Sequence, residues 1–216
     1  MDGTLTRDTS LFGFLAYDLA ARGRPAEEYD RARARLRALT AGGAPRTQTN
    51  RAYFGLFAGR DAARLAARGR EWFRQAREQD GFYREEGLAA FREHAARGDL
   101  TVLVSGSFPP CLDPIKEELG ADVLLCTRPE IRDGRYTGRV AAPMVDDEKG
   151  RAVRALAAER GLRLSDSRGY ADHGSDLPFL EAVGRPVVVG CDPAMRAIAD
   201  QRGWPVLEPS LPDRVR

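Results

Sequence analysis

The sequence predicts an α/β protein, with a doubly wound, Rossmann-like parallel sheet as its core and an all-helical cap insertion. From residue 83 onward, short apolar runs typical of buried strands alternate with helical patterns, as in right-handed βαβ crossovers. From residue 10 to residue 82 no strand-like segment occurs. We therefore expect residues 1–9 and 83–216 to form the core and residues 10–82 to form the cap.

Composition excludes several classes of protein. The chain of 216 residues suffices for one sizeable domain, or for a core with a smaller insertion. Its formal net charge of +2 gives no basic excess for nucleic-acid binding. No apolar run reaches the roughly 18 residues of a membrane span, and no signal peptide is visible. Cys111, Cys126 and Cys191 are widely spaced and indicate reduced thiols, so we expect a cytoplasmic protein without nucleic-acid or membrane partners.

Four helices are predicted in the cap. Thr9 or Ser10 can cap the first, and Pro25 begins a second that ends near residue 39. A short aromatic helix follows the Gly-Gly-Ala-Pro break, and a long helix runs from about residue 61 to 79. The apolar residues of the first helix lie on one face: Leu11, Phe14, Leu15 and Leu19.

The core elements follow in alternation. Helices are predicted near 84–97, from about 109, over 149–159, from about 175 and from 193. The predicted strands are 100–104, 123–126, a segment ending near Ala171, and 186–189. Asp133-Gly134 predicts a hairpin within 131–140. The Pro-rich end is predicted to be a tail, with Pro205, Pro209 and Pro212.

Four polar clusters fall where strands of such a sheet end and helices begin, which is where ligands of open parallel sheets bind. The first is Asp2-Gly3-Thr4, which resembles a loop leaving a strand although no strand precedes it. The second is Ser105-Gly106-Ser107, whose hydroxyl and backbone N–H groups suit phosphate oxygens. An ordinary strand-to-helix turn would use the same residues, so this cluster alone decides nothing.

Lys149 forms the third cluster. It is one of only two lysines, the other being Lys116, in a chain that otherwise uses arginine. A cation at a helix N-terminus opposes the helix dipole unless it faces an anion, and lysine offers a compact point charge. The alternative is a solvated surface lysine beside acidic neighbours.

Asp172 and Asp176 form the fourth cluster, on either side of a glycine loop that opens a helix. Paired carboxylates suit Mg²⁺, which takes few protein oxygens and keeps water or substrate oxygens as its other ligands. Asp176 as a first-turn carboxylate is the alternative. We interpret His173 as a solvated loop residue, because imidazole is a poor Mg²⁺ ligand.

Together the clusters resemble, in order, the four motifs of the haloacid dehalogenase-like superfamily, in its phosphoserine-phosphatase-like branch (subfamily IB). The resemblance implies a Mg²⁺-dependent phosphohydrolase that acts through an aspartyl-phosphate on a small phosphorylated substrate. By this resemblance Asp2 is the general acid and base and touches Mg²⁺ through its backbone oxygen. Ser105 and Lys149 hold the phosphoryl group, with Gly106 and Ser107 beside it. Asp172 and Asp176 belong to the metal site.

One part of the family pattern is absent. The family's nucleophile is an Asp two residues before the position of Asp2, at the end of the central strand, and Met1 is the first residue here. We therefore expect the central first strand to be largely missing, the chain to be a truncated form of a longer protein, and its activity to be impaired. The position of a substrate-binding Glu in phosphoserine phosphatases holds Thr9, which leaves the substrate open.

Two other functions stay open. One is a non-catalytic module that binds phosphate and Mg²⁺, and the other is a phosphoryl or acyl transferase on the same scaffold. Arg51, Tyr53 and Phe54 of the cap are candidates for substrate selection, although the aromatic pair is better explained by core packing. The oligomeric state is not predicted.

Overall fold

A computed structural model describes residues 1–190 and 192–208. The helices are Ser10–Ala20 (α1), Ala26–Ala41 (α2), Arg46–Gly55 (α3), Ala62–Arg77 (α4), Glu85–Ala96 (α5), Pro109–Leu119 (α6), Asp147–Arg160 (α7), Leu177–Leu180 (α8) and Pro193–Arg202 (α9). The strands are Val102–Ser105 (β1), Val123–Cys126 (β2), Ile131–Arg132 (β3), Arg135–Tyr136 (β4), Arg168–Ala171 (β5), Arg185–Val189 (β6) and Val206–Leu207 (β7).

The parallel sheet is divided into two parts. β1 pairs in parallel with β2, while β5, β6 and β7 form a second parallel group in that order. Within residues 1–190 and 192–208, β1 and β5 are not hydrogen-bonded to each other and share no strand partner. The predicted α/β fold with parallel strands and a helical cap is therefore confirmed.

The segment from residue 10 to 82 contains α1–α4 and shares its core with β1 and α6. Aromatic rings of α1, α3 and the turn after α3 surround Phe108, which precedes α6; the ring centroids of Phe54 and Phe108 lie 5.1 Å apart. Tyr53 and Phe54 are fully buried in this cluster, so both are core residues, as expected. The cluster consists of Phe14, Tyr53, Phe54, Phe57 and Phe108. Arg51 donates instead to the carbonyls of Val140 and Ala141.

The predicted hairpin is confirmed as β3–β4. Asp133 and Gly134 have φ of 47° and 72°, the left-handed conformation that a tight hairpin turn requires. The hairpin also joins the core to the cap, because Gly59 N donates to the Tyr136 carbonyl at 2.7 Å.

The predicted tail is partly wrong. β7 pairs with β6, and the Pro205 carbonyl accepts from Val188 N at 3.0 Å. Proline lacks an N–H but keeps its carbonyl, so it can precede a short edge strand. Pro209 and Pro212 lie outside the described residues.

Several element boundaries also differ from the predictions. The strand predicted from residue 100 begins at Val102, because Thr101 is bonded to the Asp122 carboxylate. The helix predicted from Ser175 opens as a 3₁₀ turn, Gly174–Asp176, before α8. In the part of the chain that the structure describes, no helix is long and apolar enough to cross a membrane.

Candidate active site

Asp2 lies in a tight turn that joins α1 to the end of β1. The Met1 carbonyl accepts from the N–H groups of the three residues 4–6, which folds the loop back on itself. The Asp2 carboxylate accepts from Ser10 N at 2.7 Å and from Ser105 Oγ at 3.0 Å. Thr9 lies at the N-cap position of α1, as predicted, but its side chain makes no capping hydrogen bond, and the Asp2 carboxylate accepts from Ser10 N instead.

The loop after β1 is fixed by hydrogen bonds from several elements. Ser105 Oγ accepts from Ser107 N at 3.0 Å, and Ser107 Oγ is bonded to Ser10 Oγ at 2.9 Å. The Gly106 carbonyl accepts from Asn50 Nδ2 and from Thr127 Oγ1, both at 2.9 Å. Helix α3 of the cap and the end of β2 thus hold the loop in place.

Lys149 lies in the first turn of α7 and forms a buried ion pair with Asp176. Both residues are less than a tenth exposed. The cation at the helix N-terminus therefore faces an anion, and this anion comes from the protein itself. Asp146, which precedes α7, has a φ of 49°, a strained conformation of the kind that collects at functional sites.

Asp172 follows β5 and contacts the turn at residues 3 and 4. Thr4 Oγ1 donates to its Oδ1 at 2.6 Å. Gly3 has a φ of 78°, and a Cβ built at this position would lie 2.0 Å from Asp172 Oδ2. The backbone can approach this carboxylate only because residue 3 is glycine.

Contacts join the four predicted clusters. Ser105 bonds Asp2, Thr4 bonds Asp172, and the Lys149–Asp176 pair lines one cavity together with Met1 and Thr4. Burial lowers the pKa of the Met1 amino group below its ordinary value of 8.0, and the positive charge of Lys149 lowers it further. The negative charges of Asp2, Asp176 and Asp172 act in the opposite direction. The direction of each effect on the Met1 amino group agrees with the contacts that hold these segments together.

Whether the candidate site can bind a divalent cation depends on which side-chain oxygens are available as ligands. Within residues 1–190 and 192–208, no group of three His, Cys, Asp or Glu side chains is arranged to hold a metal. Asp176 pairs with Lys149, and the Asp2 carboxylate holds Ser10 and Ser105. Asp172 is only partly buried, and its Oδ2 faces the turn at residue 3. One carboxylate with backbone, water and phosphate oxygens still suits Mg²⁺.

The remaining loop residue behaves as expected. His173 is exposed, and its Nδ1 accepts from Ser175 N at 3.1 Å. It therefore stabilises the loop before α8.

Sequence reasoning missed three residues that support the site: Ser10, Asn50 and Thr127. Asn50 offered a signal, since it lies three and four residues before Tyr53 and Phe54, on the apolar face of α3. Its Oδ1 is buried and has no hydrogen-bond partner among the described residues. Ser10 and Thr127 offered none, because only the tertiary fold brings them to Ser107 and Gly106.

Comparison with known proteins identifies the family. A model of haloacid dehalogenase-like hydrolases matches residues 1–181, so the chain belongs to this family. A Mycobacterium tuberculosis (strain H37Rv) protein named "Probable phosphatase" is 42% identical over 123 residues, which make up 57% of this chain and 43% of that protein. The chain spans about half the length of the curated relatives it matches.

Two solved structures share the fold. The crystal structure of a protein of unknown function from Bordetella pertussis Tohama I has a TM-score of 0.85 and 33% identity, covering 96% of this chain and 95% of that chain. A substrate-bound phosphoserine phosphatase complex has a TM-score of 0.68 and 20% identity, covering 96% of this chain and 89% of that chain. The predicted phosphoserine-phosphatase-like branch is therefore confirmed at the level of the fold.

Proposed function

We propose that the chain carries the site of a Mg²⁺-dependent phosphomonoester hydrolase that acts through an aspartyl-phosphate. The observation that carries this proposal is that contacts join the four clusters: Asp2 bonds Ser105, Asp172 bonds Thr4, and the Lys149–Asp176 pair lines one cavity with Met1 and Thr4. Cations and short donors that face one point suit a phosphoryl group, and membership of the family supports phosphate as the ligand. The substrate we propose is a small phosphorylated molecule of the cytoplasm.

The attacking group in this proposal is an aspartate joined to the amino side of Met1. Its carboxylate oxygen attacks phosphorus while the bond to the substrate oxygen breaks, and Asp2 gives its proton to the departing alkoxide. In the second step Asp2 takes a proton from a water whose oxygen attacks phosphorus, which frees the nucleophile and inorganic phosphate. The hydrogen bonds from Ser10 N and Ser105 Oγ orient the Asp2 carboxylate for both transfers.

The other residues bind and neutralise the phosphoryl oxygens. Lys149 supplies positive charge, and the ion pair with Asp176 fixes its position. Ser105 acts through Asp2, because its single hydroxyl proton is donated to that carboxylate. Asp172 and the backbone oxygen of Asp2 would hold Mg²⁺, which when bound adds charge neutralisation at phosphorus.

Without an aspartate joined to the amino side of Met1, the chain corresponds to the alternative of a non-catalytic module that binds phosphate and Mg²⁺. Ser10 and Ser105 hold the Asp2 carboxylate in place by hydrogen bonds. In the family arrangement an aspartate at this position faces the leaving group, so it can transfer a proton but does not attack phosphorus. We therefore expect this chain alone to bind phosphate with Mg²⁺ and to show little turnover.

A phosphatase assay tests the proposal. Two extended chains are compared, in which an apolar strand ending in Asp-Met or in Asn-Met is joined at Met1. Hydrolysis of p-nitrophenyl phosphate should need Mg²⁺ and the Asp, and should fall by a factor of about 10³ or more with Asn. Equal turnover by both chains, or none by either, would contradict the proposed chemistry. Turnover that appears only with an added acceptor alcohol would instead favour a transferase.

A further inference from the structure

A continuous path of hydrogen bonds joins a side chain of the cap to the proposed acid and base. Asn50 of α3 is buried, and its Nδ2 donates to the Gly106 carbonyl at 2.9 Å. The same peptide unit carries the N–H of Ser107, which donates to Ser105 Oγ at 3.0 Å. Ser105 Oγ in turn donates to Asp2 Oδ2 at 3.0 Å. We call this series of three hydrogen bonds the Asn50–Asp2 path.

The direction of each bond in the Asn50–Asp2 path is fixed by chemistry. The Gly106 carbonyl can only accept, so Asn50 must present its nitrogen there. Ser105 Oγ accepts from the Ser107 N–H, and its single hydroxyl proton is then left for the Asp2 carboxylate. Because all three bonds run in one direction, each polarises the next and strengthens it.

The cap end of the path is fixed to the core. Arg51, which follows Asn50 in α3, donates to the carbonyls of Val140 and Ala141, both at 3.1 Å. The Gly106 carbonyl also accepts from the buried Thr127 Oγ1 at 2.9 Å. The peptide unit between residues 106 and 107 therefore takes one bond from the cap and one from the core, and it cannot turn without breaking both.

Packing alone does not explain an amide at position 50. Asn50 is buried on the same face of α3 as Tyr53 and Phe54, and its Oδ1 has no hydrogen-bond partner among the described residues. A buried acceptor without a partner costs stability, and an apolar side chain of similar shape would avoid that cost. The donation from Nδ2 to Gly106 is the contact that distinguishes asparagine from such a residue.

We propose that Asn50 is a positioning residue, which acts through the peptide unit of Gly106 and Ser107 to hold Ser105 on Asp2. It thereby couples the helical cap to the orientation of the acid and base. Such a coupling is reciprocal, so a ligand that needs the ordered loop also favours the docked position of α3. The effect on phosphate binding rests on the proposed function, whereas the effect on the loop does not.

The test replaces the amide by a carboxyl group. When ionised, Asn50→Asp keeps an acceptor oxygen but has no proton to donate to the Gly106 carbonyl. Burial and the facing carbonyl disfavour the charged form, so the carboxyl group takes up its proton as the pH falls and donates again. Gln48→Glu makes the same chemical change at an exposed position of α3 and serves as the matched control. Asn50→Ala removes the donor without adding charge, which keeps the test valid if the aspartate variant does not fold.

Two quantities are measured on the unmodified chain and on each variant. Calorimetric titration of orthophosphate with Mg²⁺, at about pH 8 and about pH 5.5, gives affinities relative to wild type at the same pH. This comparison cancels the ionisation of orthophosphate itself. Hydrogen exchange of the Ser107 amide, followed by NMR without phosphate, reports on the loop. Circular dichroism checks that each variant folds.

We expect Asn50→Asp to bind phosphate at least about tenfold more weakly than wild type at the higher pH, with faster exchange at Ser107. At the lower pH the difference should fall to about threefold or less, because the protonated carboxyl group donates to the Gly106 carbonyl. Asn50→Ala should be weakened by a similar factor at both pH values, and its Ser107 amide should also exchange faster. Gln48→Glu should match wild type throughout.

The outcomes separate this inference from the proposed function. If wild type does not bind phosphate but both Asn50 variants exchange faster at Ser107, the positioning role stands and the proposed hydrolase does not. If wild type binds phosphate and the Asn50 variants bind it equally well, the positioning role is wrong and the hydrolase stands. A loss in Asn50→Asp that is the same at both pH values, with unchanged exchange at Ser107, would show a packing effect and would overturn the inference.

Discussion

Single residues make the candidate site possible, and Gly3 is the clearest case. Its φ of 78° and the 2.0 Å separation between a built Cβ and Asp172 Oδ2 leave no room for any side chain. Gly23 has a similar φ of 67° but open space around it. A comparison of substitutions at the two glycines therefore separates the cost of backbone strain from the cost of contact with the Asp172 carboxylate.

Gly3→Ala should destabilise the protein more than Gly23→Ala does. Both variants carry a left-handed alanine, at a cost of about 1–2 kcal/mol. Only Gly3→Ala must also displace Asp172, and we expect a further loss of about 1–3 kcal/mol. Urea denaturation measures the free energy of unfolding of each variant. Equal losses would show that the turn does not press against Asp172.

The sequence predicted the charged residues of the site but not their partners. Asp2, Lys149 and Asp172 were identifiable because their residue types and positions carry chemistry by themselves. The bonds of Asn50 and Thr127 to Gly106 were not, because these residues lie 56 and 21 positions away from it and only packing brings them near.

At the scale of elements, Asp122 ties the amino ends of β1 and β2 together. Its Oδ2 accepts from the N–H and the hydroxyl of Thr101, both at 2.8 Å. The Thr101 N–H, followed by the hydroxyl, lowers the pKa of Asp122 below its ordinary value of 3.8. Because the folded-state pKa is the lower one, the contribution to stability is present above pH 3.8 and is lost as the pH falls through the folded pKa.

Asp122→Asn should remove this dependence on pH. The free energy of unfolding of the wild-type protein should exceed that of the variant near neutral pH, and the two should approach each other below about pH 4. Thr101→Val, which keeps the backbone N–H, should lose only part of the effect. Urea unfolding at a series of pH values measures the free energy of unfolding of each protein. A constant difference between wild type and Asp122→Asn at every pH would contradict the account.

Elements were predictable where local pattern and packing agree. Buried apolar runs gave β2 and β6, and the Asp133-Gly134 turn gave the hairpin. β7 was not predictable, because it has only two residues and follows proline. β7 is defined by its pairing with β6, and a local sequence pattern does not predict such a pairing.

At the scale of the whole molecule, the account depends on segments far apart in the chain forming one phosphate and Mg²⁺ site. The fold class followed from the alternation of strands and helices. The direct Lys149–Asp176 pair needed the structure, because it is a tertiary feature. A binding measurement can test this convergence without turnover.

That measurement is calorimetric titration of orthophosphate in the presence of Mg²⁺ into this chain, into Lys149→Met/Asp176→Asn, and into Lys116→Ala. The double variant removes both members of the buried pair, so no unpaired charge remains. We predict saturable binding to the wild-type chain and to Lys116→Ala, and at least about tenfold weaker binding by the double variant or after removal of Mg²⁺. Equal binding by all three proteins, with or without Mg²⁺, would contradict the account.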